Sequence, residues 1–257
     1  MTAAPLFLLH TRPEARLLAA WIARHHARHA RATADLGDAL HGLLRAAFGE
    51  HVPQPYRYLD ERQGLLAYTK LGPESMREHV ALADPEAAQA LGLSATAEQG
   101  GYNLRPFPSE WPAGKVLGFE VRVRPTVREG KTSRERDVFL QAVERADGAA
   151  LQREAVYAQW LREHLGKRDG TAVEPWQGAV EVLDVHLIRY QRLDVLRRTQ
   201  VAEPDGVRRG KVVSGPDVVL TGQLRVTQPS AFTHLVARGV GRHRAFGFGM
   251  LLLRPAA

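Results

Sequence analysis

The spacing of hydrophobic residues changes several times along the chain, and each change predicts the boundary of a strand or a helix. Residues 5–10 are a short apolar run typical of a buried strand. Apolar side chains then recur every third or fourth residue over 13–30 and again over 36–48, as in amphipathic helices, and Asp35 is placed to cap the second. Strands around a polar turn follow at 56–60 and 64–70, then a mostly helical segment at 74–91 and a strand at 102–107. The first half therefore predicts the order β–α–β–β–α–β with one extra helix.

A second set of strands and helices follows residues 109–114, where Pro112 and Gly114 indicate a boundary. Alternation over 116–127 predicts a half-exposed strand, and residues 134–146 and 151–165 have helical spacing, with Val156, Trp160 and Leu161 on the buried face of the latter. Residues 180–198, 218–226 and 248–254 predict strands, and 230–237 a helix. We therefore predict an α+β fold of two tandem ferredoxin-like domains, at 1–110 and 114–257, the second with a helical insertion at about 134–165.

Composition narrows the class of protein. The 257 residues include no cysteine, which excludes disulfides, iron–sulfur clusters and thiolate zinc sites and favours a cytoplasmic location. No run of about 18 uncharged apolar residues is present, so we expect no membrane span, and the first ten residues lack the basic region of a signal peptide.

The charge is strongly basic, with a net +7 and a pI near 10.0, and 30 of the 35 basic residues are arginine. Arginine suits phosphate, which favours a polyanionic partner, although a GC-rich genome also enriches arginine. Residues 186–213 contain seven basic residues against three acids, and residues 238–254 contain four arginines and no acid. This clustering favours RNA or DNA binding over a merely solvated hairpin. The basic residues of the first stretch are Arg189, Arg192, Arg197, Arg198, Arg208, Arg209 and Lys211.

Residues 239–249, the glycine-rich loop, form the strongest local motif. Four glycines, beginning with Gly239 and Gly241, surround Arg242, His243 and Arg244. The loop follows a predicted helix and precedes a strand, which is the reverse of the order in a dinucleotide-binding motif. We expect a loop whose backbone approaches another backbone closely and whose basic side chains contact phosphates; the alternative is a tight connection with solvated arginines.

The histidines give one candidate for acid–base chemistry. His25 and His29 have the i, i+4 spacing of a metal pair, but no HExxH pattern or third ligand accompanies them, so we predict no metal site. His41 lies at the edge of the apolar stripe of its helix, partly sheltered, with Asp38 one turn before it. A lone histidine on a helix is more often structural, and the residues alone leave both alternatives open.

Three segments together resemble the CasE-type CRISPR RNA-processing endoribonucleases of the Cas-six (RAMP) superfamily. Residues 218–255 share with that family a strand with a glycine-centred turn, a helix and the loop pattern G-x-G-basic-x-basic-x-x-G-x-G. Residues 116–128, which include Arg122 and Arg124, are similar to its F-R-h-R-x-N-P strand, with Thr126 in place of Asn. Residues 36–48 resemble the first-domain helix in which Tyr-x-x-His precedes Leu. The resemblance spans most of the chain and implies a tandem ferredoxin-like (RAMP/RRM-like) fold.

The resemblance places His41 at the position of the catalytic histidine. Asp38 stands where the family often has tyrosine, and a carboxylate cannot stabilise phosphorane charge as a phenol does. This departure also fits a divergent branch, such as the CasE-like nucleases of type IV CRISPR systems, in which arginines could replace histidine chemistry. The implied reaction is metal-independent and needs no cofactor: the ribose 2′-OH attacks the adjacent phosphate, with Arg242 and Arg244 neutralising charge.

The implied partners are a CRISPR repeat hairpin RNA, the mature crRNA and the other subunits of a guided effector complex. The hairpin would contact the basic stretch 189–211, the strand arginines Arg122 and Arg124, and the loop through Gly239, Gly241 and His243. Two alternatives remain open at this point. Instead of an endoribonuclease, the chain would be a non-catalytic RNA-binding subunit of such a complex, or an unrelated α+β protein that binds polyanions through arginine alone.

Overall fold

The computed structural model describes residues 5–26, 36–93, 101–129, 134–146, 149–166, 174–197 and 211–256. The predicted helix cap Asp35 lies outside the described residues, as does His29 of the candidate histidine pair.

The first half of the chain forms an antiparallel sheet with its helices packed on it. Its strands are β1 (Leu6–Thr11), β2 (Tyr56–Asp60), β3 (Gly64–Thr69) and β4 (Asn103–Phe107), in the order β2–β3–β1–β4. Helices α1 (Ala15–His26) and α2 (Leu36–Phe48) connect β1 to β2, and α3 (Pro73–Leu82) and α4 (Pro85–Ala90) connect β3 to β4. The apolar stripe of α2 is buried, with Leu40, Leu43 and Leu44 at most 1% exposed. This strand order and the β–α–β–β–α–β sequence of elements confirm a ferredoxin-like unit.

The second half repeats the same order. Its main strands are β5 (Val116–Val123), β8 (Val180–Arg197), β9 (Lys211–Val226) and β10 (Leu251–Pro255), in the sheet order β10–β5–β9–β8. Between β5 and β8 lie β6 (Thr126–Glu129), β7 (Arg134–Asp137), α5 (Val138–Arg145) and α6 (Arg153–Leu165), and α7 (Pro229–Arg238) connects β9 to β10. Strands β8 and β9 pair over their whole length and form a long hairpin arm. The tandem ferredoxin-like fold is therefore confirmed.

The region predicted as a helical insertion differs from the expectation in two ways. Arg134–Asp137 is a strand, because it pairs with β6 in a hairpin, and the helix begins only at Val138, where the Asp137 carboxylate accepts a hydrogen bond from Phe139 N. Helix α6 is a core helix of the ferredoxin-like unit. The added elements are thus the β6–β7 hairpin and α5.

The buried face of α6 also differs from the prediction. Tyr157, Leu161 and Leu165 are at most 1% exposed in the core, whereas Val156 and Trp160 are only partly buried. The helix therefore presents a face rotated relative to the one that the hydrophobic spacing suggested, because Tyr157 packs its ring into the core.

The two halves pack directly against each other. Leu6 and Tyr68 of the first sheet belong to the hydrophobic core of the second half, and the buried Tyr68 hydroxyl donates a 2.9 Å hydrogen bond to Leu251 O of β10. Arg57 on β2 forms an ion pair of 3.3 Å with Glu120 on β5. Burial, followed by the charge of Arg122, lowers the pKa of Arg57 to about 10, so the guanidinium is still charged at neutral pH. Apolar and polar contacts together fix the relative placement of the two sheets.

Candidate functional site

A cleft of about 1180 Å³ lies where the two halves meet, and we call it the basic cleft. The first half contributes the segment around His51, part of β3 and Lys70, and the second half contributes the β6–β7 hairpin and the glycine-rich loop. Seven of its lining residues are basic or histidine, against two carboxylates. They are Lys70, Arg128, Arg238, Arg242, Arg244, His51 and His243, with Glu50 and Glu135. Such a concave surface with a cationic excess attracts polyanions.

The glycine-rich loop folds back on itself because four glycines adopt positive φ angles. The angles of Gly239, Gly241, Gly247 and Gly249 lie between 74° and 82°. Val240 N donates to Gly249 O at 2.8 Å, and Gly249 N donates to Arg122 O of β5 at 2.7 Å. A Cβ on Gly249 would lie 2.3 Å from Val240 O, so no other residue fits without a backbone shift. The loop therefore makes the close backbone approach that the sequence predicted.

His41 lies beside this loop although the two are about 200 residues apart in the sequence. The imidazole is half-buried on α2, and its ring centroid lies 5.0 Å from that of Phe246, at the end of the short 3₁₀ helix Arg244–Phe246. The Tyr56 hydroxyl donates a 3.0 Å hydrogen bond to Gly37 O and joins β2 to the first turn of α2. Packing therefore brings together the histidine of the first half and the basic loop of the second half.

Glu135 of β7 holds two consecutive residues of the loop. His243 Nε2 lies 2.7 Å from Glu135 Oε2 and, because a carboxylate only accepts, carries the hydrogen that it donates. Arg242 Nη1 donates to Glu135 Oε1 at 3.3 Å. Burial raises the pKa of Glu135, but the hydrogen bonds and charges of His243 and Arg242 outweigh it and lower the pKa to about 2. Sequence reasoning missed Glu135, since only the hairpin pairing brings it to the loop.

Arg244 and Arg238 are partly buried beside each other. Arg244 Nη1 donates to Arg238 O at 2.9 Å. Burial lowers the pKa of both guanidinium groups, and the charge of Arg244 lowers that of Arg238 further. The charge of Glu174 opposes this shift at Arg238. Partial removal of the two cations from water strengthens their attraction for an anion that enters the basic cleft.

A row of stacked aromatic side chains from α6 and Trp176 packs beside the loop. The rings of Trp160 and His164 on α6 stack at 5.1 Å, His164 lies 5.1 Å from Trp176, and the Arg238 guanidinium covers the Trp176 ring at 4.4 Å. Gly241 N donates a 3.2 Å hydrogen bond to His164 Nε2. The i, i+4 pair of a tryptophan and a histidine on one helix is a signal in the sequence that could have found this support.

Two predicted RNA-binding residues make their polar contacts within the protein. Arg124 is 1% exposed, with Nη2 donating to Val213 O at 3.3 Å. Arg122 donates two hydrogen bonds, of 2.7 and 2.8 Å, to the fully buried Asp217, and lies 4.4 Å over the Phe248 ring. The alternation along β5 predicted a half-exposed strand, but contacts with β9 and with Phe248 of the loop hold these two side chains. We therefore leave both arginines out of the proposed RNA surface.

The hairpin arm keeps part of the predicted basic surface. Arg189 and Arg192 are exposed on β8, and Arg192 Nε donates a 2.8 Å hydrogen bond to Ser214 Oγ. Arg197 and Lys211 pair in register at the end of the arm. Nothing is described of the side chains of these two, and Arg198, Arg208 and Arg209 lie outside the described residues.

Within the residues that the structure describes, no group of three or more His, Cys, Asp or Glu side chains is placed to hold a metal ion. None of the helices in the same residues is long and apolar enough to cross a membrane.

Two ferredoxin-like units around a cationic cleft with a glycine-rich loop define the class of this protein as a tandem ferredoxin-like protein. The family model described as "CRISPR associated protein" matches residues 17–255, and the chain therefore belongs to this family. The CRISPR-associated endoribonuclease Cse3 of Thermus thermophilus is 26% identical over 155 residues. That match covers 59% of this chain and 61% of the Cse3 length, so the chain matches less than two thirds of this curated relative. The resemblance stated from the sequence is confirmed at the level of the family.

Solved structures share the fold over nearly the whole chain. A structure of CRISPR endoribonuclease Cse3 bound to a 19-nucleotide RNA superposes with a TM-score of 0.57 at 20% identity, covering 98% of this chain and 100% of the other. Thermus thermophilus Cse3 bound to an RNA that represents a pre-cleavage complex gives 0.53 at 18% identity, with the same coverage. A chain of a CRISPR RNA-guided surveillance complex gives 0.51 at 17% identity over 97% of this chain. At these identities the likeness shows the fold.

Proposed function

We propose that the protein is a metal-independent endoribonuclease that cleaves CRISPR precursor RNA at the base of the repeat hairpin. The observation that carries the proposal is the packing of His41 against Phe246 of the glycine-rich loop, whose Arg242 and Arg244 line the basic cleft. Membership of the CRISPR-associated family and the likeness to Cse3, a named endoribonuclease solved with RNA, support the same activity.

In the proposed reaction the ribose 2′-oxygen attacks the adjacent phosphorus and the bond from phosphorus to the 5′-oxygen breaks. The 2′-OH loses its proton and the departing 5′-oxygen gains one, which leaves a 2′,3′-cyclic phosphate and a 5′-hydroxyl. His41 is the candidate for one of these transfers, since an imidazole accepts and donates protons near neutral pH. Asp38 lies one turn before it on α2, where the family resemblance implies a tyrosine, and supplies no phenol to stabilise the phosphorane.

The arginines of the cleft supply the electrostatic part of the proposal. Arg244 is partly buried and charged, so its attraction for a phosphorane oxygen is stronger than that of a solvated side chain. Arg242, 42% exposed, adds a second donor at the mouth of the cleft. Arg189 and Arg192 on the arm are suited to the backbone of the hairpin stem, which proteins recognise mainly by shape and phosphates.

The first test is cleavage of a hairpin repeat RNA in EDTA, beside the same RNA with a 2′-deoxy ribose at the scissile position. We expect cleavage at one site, blocked when that hydroxyl is missing. Tight hairpin binding without cleavage of either RNA would indicate the non-catalytic RNA-binding subunit instead. Absence of binding and cleavage would contradict both.

The second test assigns His41. We expect His41→Ala to slow cleavage by about 10²–10⁴-fold, the usual contribution of an acid–base group, with hairpin affinity retained. His234→Ala, a change of the same type at an exposed position on α7, is the matched control and should cleave normally. Equal rates for the two variants would remove His41 from the mechanism.

The proposal also assigns partners and a location. An enzyme that retains its product would carry the mature crRNA into a guided complex with other CRISPR subunits, and the fold likeness to a chain of a surveillance complex supports this assignment. The protein would act in the cytoplasm, which agrees with a sequence that contains no cysteine. Co-purification of the processed crRNA with the protein checks retention.

A further inference from the structure

Glu135 is a carboxylate in a cleft whose other charged groups are mostly cations. Its side chain is only 14% exposed and it lines the basic cleft together with Arg128, its cross-strand neighbour on β6. A fixed negative charge in a surface proposed to receive phosphates weakens RNA binding, because like charges repel. A carboxylate at this position is therefore expected to have a local function that compensates for the weaker RNA binding.

The local function is visible in the contacts of the two carboxylate oxygens. Oε2 accepts from His243 Nε2 at 2.7 Å and Oε1 accepts from Arg242 Nη1 at 3.3 Å, so one residue of the β6–β7 hairpin holds two neighbouring residues of the loop. The ionised carboxylate is strongly favoured, with a pKa of about 2. Both partners are therefore held by charge-assisted hydrogen bonds, the stronger class of such bonds.

The backbone of His243 gives a second, independent observation. Its φ is +59°, and among the described residues it is the only non-glycine with a positive φ. This conformation is unfavourable for a side-chain-bearing residue, so the surrounding structure must enforce it. This backbone conformation directs the His243 side chain towards Glu135, which holds it. The His243 ring also lies 6.4 Å from that of Phe246, which His41 contacts as well.

We propose that Glu135 is a positioning residue for the cleavage reaction: it holds the His243 imidazole and the Arg242 guanidinium in one arrangement beside the scissile phosphate and lowers RNA affinity in doing so. The proposal rests on the proposed function. The hairpin β6–β7, which interrupts the ferredoxin-like order, then acts as the support of the reaction site.

The test measures RNA affinity and cleavage rate separately, because substitution of a merely structural residue would lower both. Glu135→Gln removes the charge and keeps the size of the side chain. We expect it to bind the uncleavable 2′-deoxy hairpin about fivefold more tightly, because one like charge is removed from near a phosphate. We expect its single-turnover cleavage at saturating protein to be roughly 10–100-fold slower, because Arg242 and His243 lose their placement.

Two further variants complete the set. Glu135→Asp keeps the charge on a shorter side chain, so its affinity should remain that of the wild type while cleavage stays slow. Glu163→Gln makes the same charge change on the exposed face of α6, where the carboxylate accepts from Gln159, and should change neither quantity.

Each outcome decides the proposal. Weaker binding together with slower cleavage in Glu135→Gln would show that Glu135 has only a structural role. Tighter binding with unchanged cleavage would show that Glu135 only repels the RNA and positions nothing. Either result overturns the inference. Failure of the wild type to cleave overturns the proposed function itself, so the two failures are distinct. Independently of activity, carbon-13 NMR of the Glu135 carboxyl in His243→Gln should show its pKa raised from about 2, and an unchanged pKa would contradict the pairing.

Discussion

Gly249→Ala tests whether the glycine-rich loop depends on a close backbone approach. Gly249 and Gly114 have nearly equal φ angles, +82° and +83°, so alanine is strained at both positions, by about 1–2 kcal/mol. At Gly114 no atom lies within 4 Å of the added Cβ, whereas at Gly249 the Cβ would lie 2.3 Å from Val240 O. Relief of such a clash adds about 1–3 kcal/mol. We therefore expect Gly249→Ala to lower the free energy of unfolding by about 2–5 kcal/mol and Gly114→Ala by about 1–2 kcal/mol.

Urea unfolding followed by tryptophan fluorescence measures both free energies of unfolding, with Gly114→Ala as the matched control. Gly249 N also donates to Arg122 O, so a displaced loop moves Arg242 and Arg244. Hairpin affinity should therefore fall in Gly249→Ala and remain in Gly114→Ala. Equal destabilisation of the two variants would refute the reasoning, because it would show that the backbone conformation alone, and not the approach to Val240, requires glycine.

Three further predictions concern polar and charged side chains. Asp217→Asn should lower the free energy of unfolding by about 3–5 kcal/mol, measured in urea, because the Arg122 guanidinium loses its buried counter-charge; a loss under 1 kcal/mol would contradict this. Tyr68→Phe should cost about 1–2 kcal/mol in the same assay, since Leu251 O loses the hydrogen bond that joins the two halves. Glu135 has a folded pKa of about 2 against an ordinary 4.5, so its contribution to stability is complete above about pH 4.5 and is lost as the pH falls towards 2. Thermal midpoints should therefore fall less in Glu135→Gln than in the wild type between pH 5 and pH 3, and equal falls would contradict the low pKa.

The order of strands and helices could be predicted from the sequence because periodicity is a local property. The apolar run at β1, the stripe of α2 and the alternation of β5 each indicate their own element. The glycine spacing likewise predicted a close backbone approach, since positive φ angles favour glycine at the residue itself. The prediction was less exact elsewhere: residues 116–127 divide into β5 and β6, and residues 74–91 into α3 and α4. It was wrong at Arg134–Asp137, whose polar residues form a strand only because β6 lies opposite to pair with them.

The site depended on contacts that no local pattern contains. The sequence identified His41 and the loop separately, and packing of the two halves placed the imidazole 5.0 Å from Phe246. Glu135 has an ordinary sequence neighbourhood, and it acquires its role because the β6–β7 hairpin carries it across to His243, 108 residues away. Arg124 shows the opposite case. Its position in the alternation of β5 predicted an exposed side chain, but the hairpin arm covers it. The sequence by itself thus determined the elements and the residue types available for chemistry. The tertiary structure decided which charges meet and which are buried, because those depend on distances between distant segments.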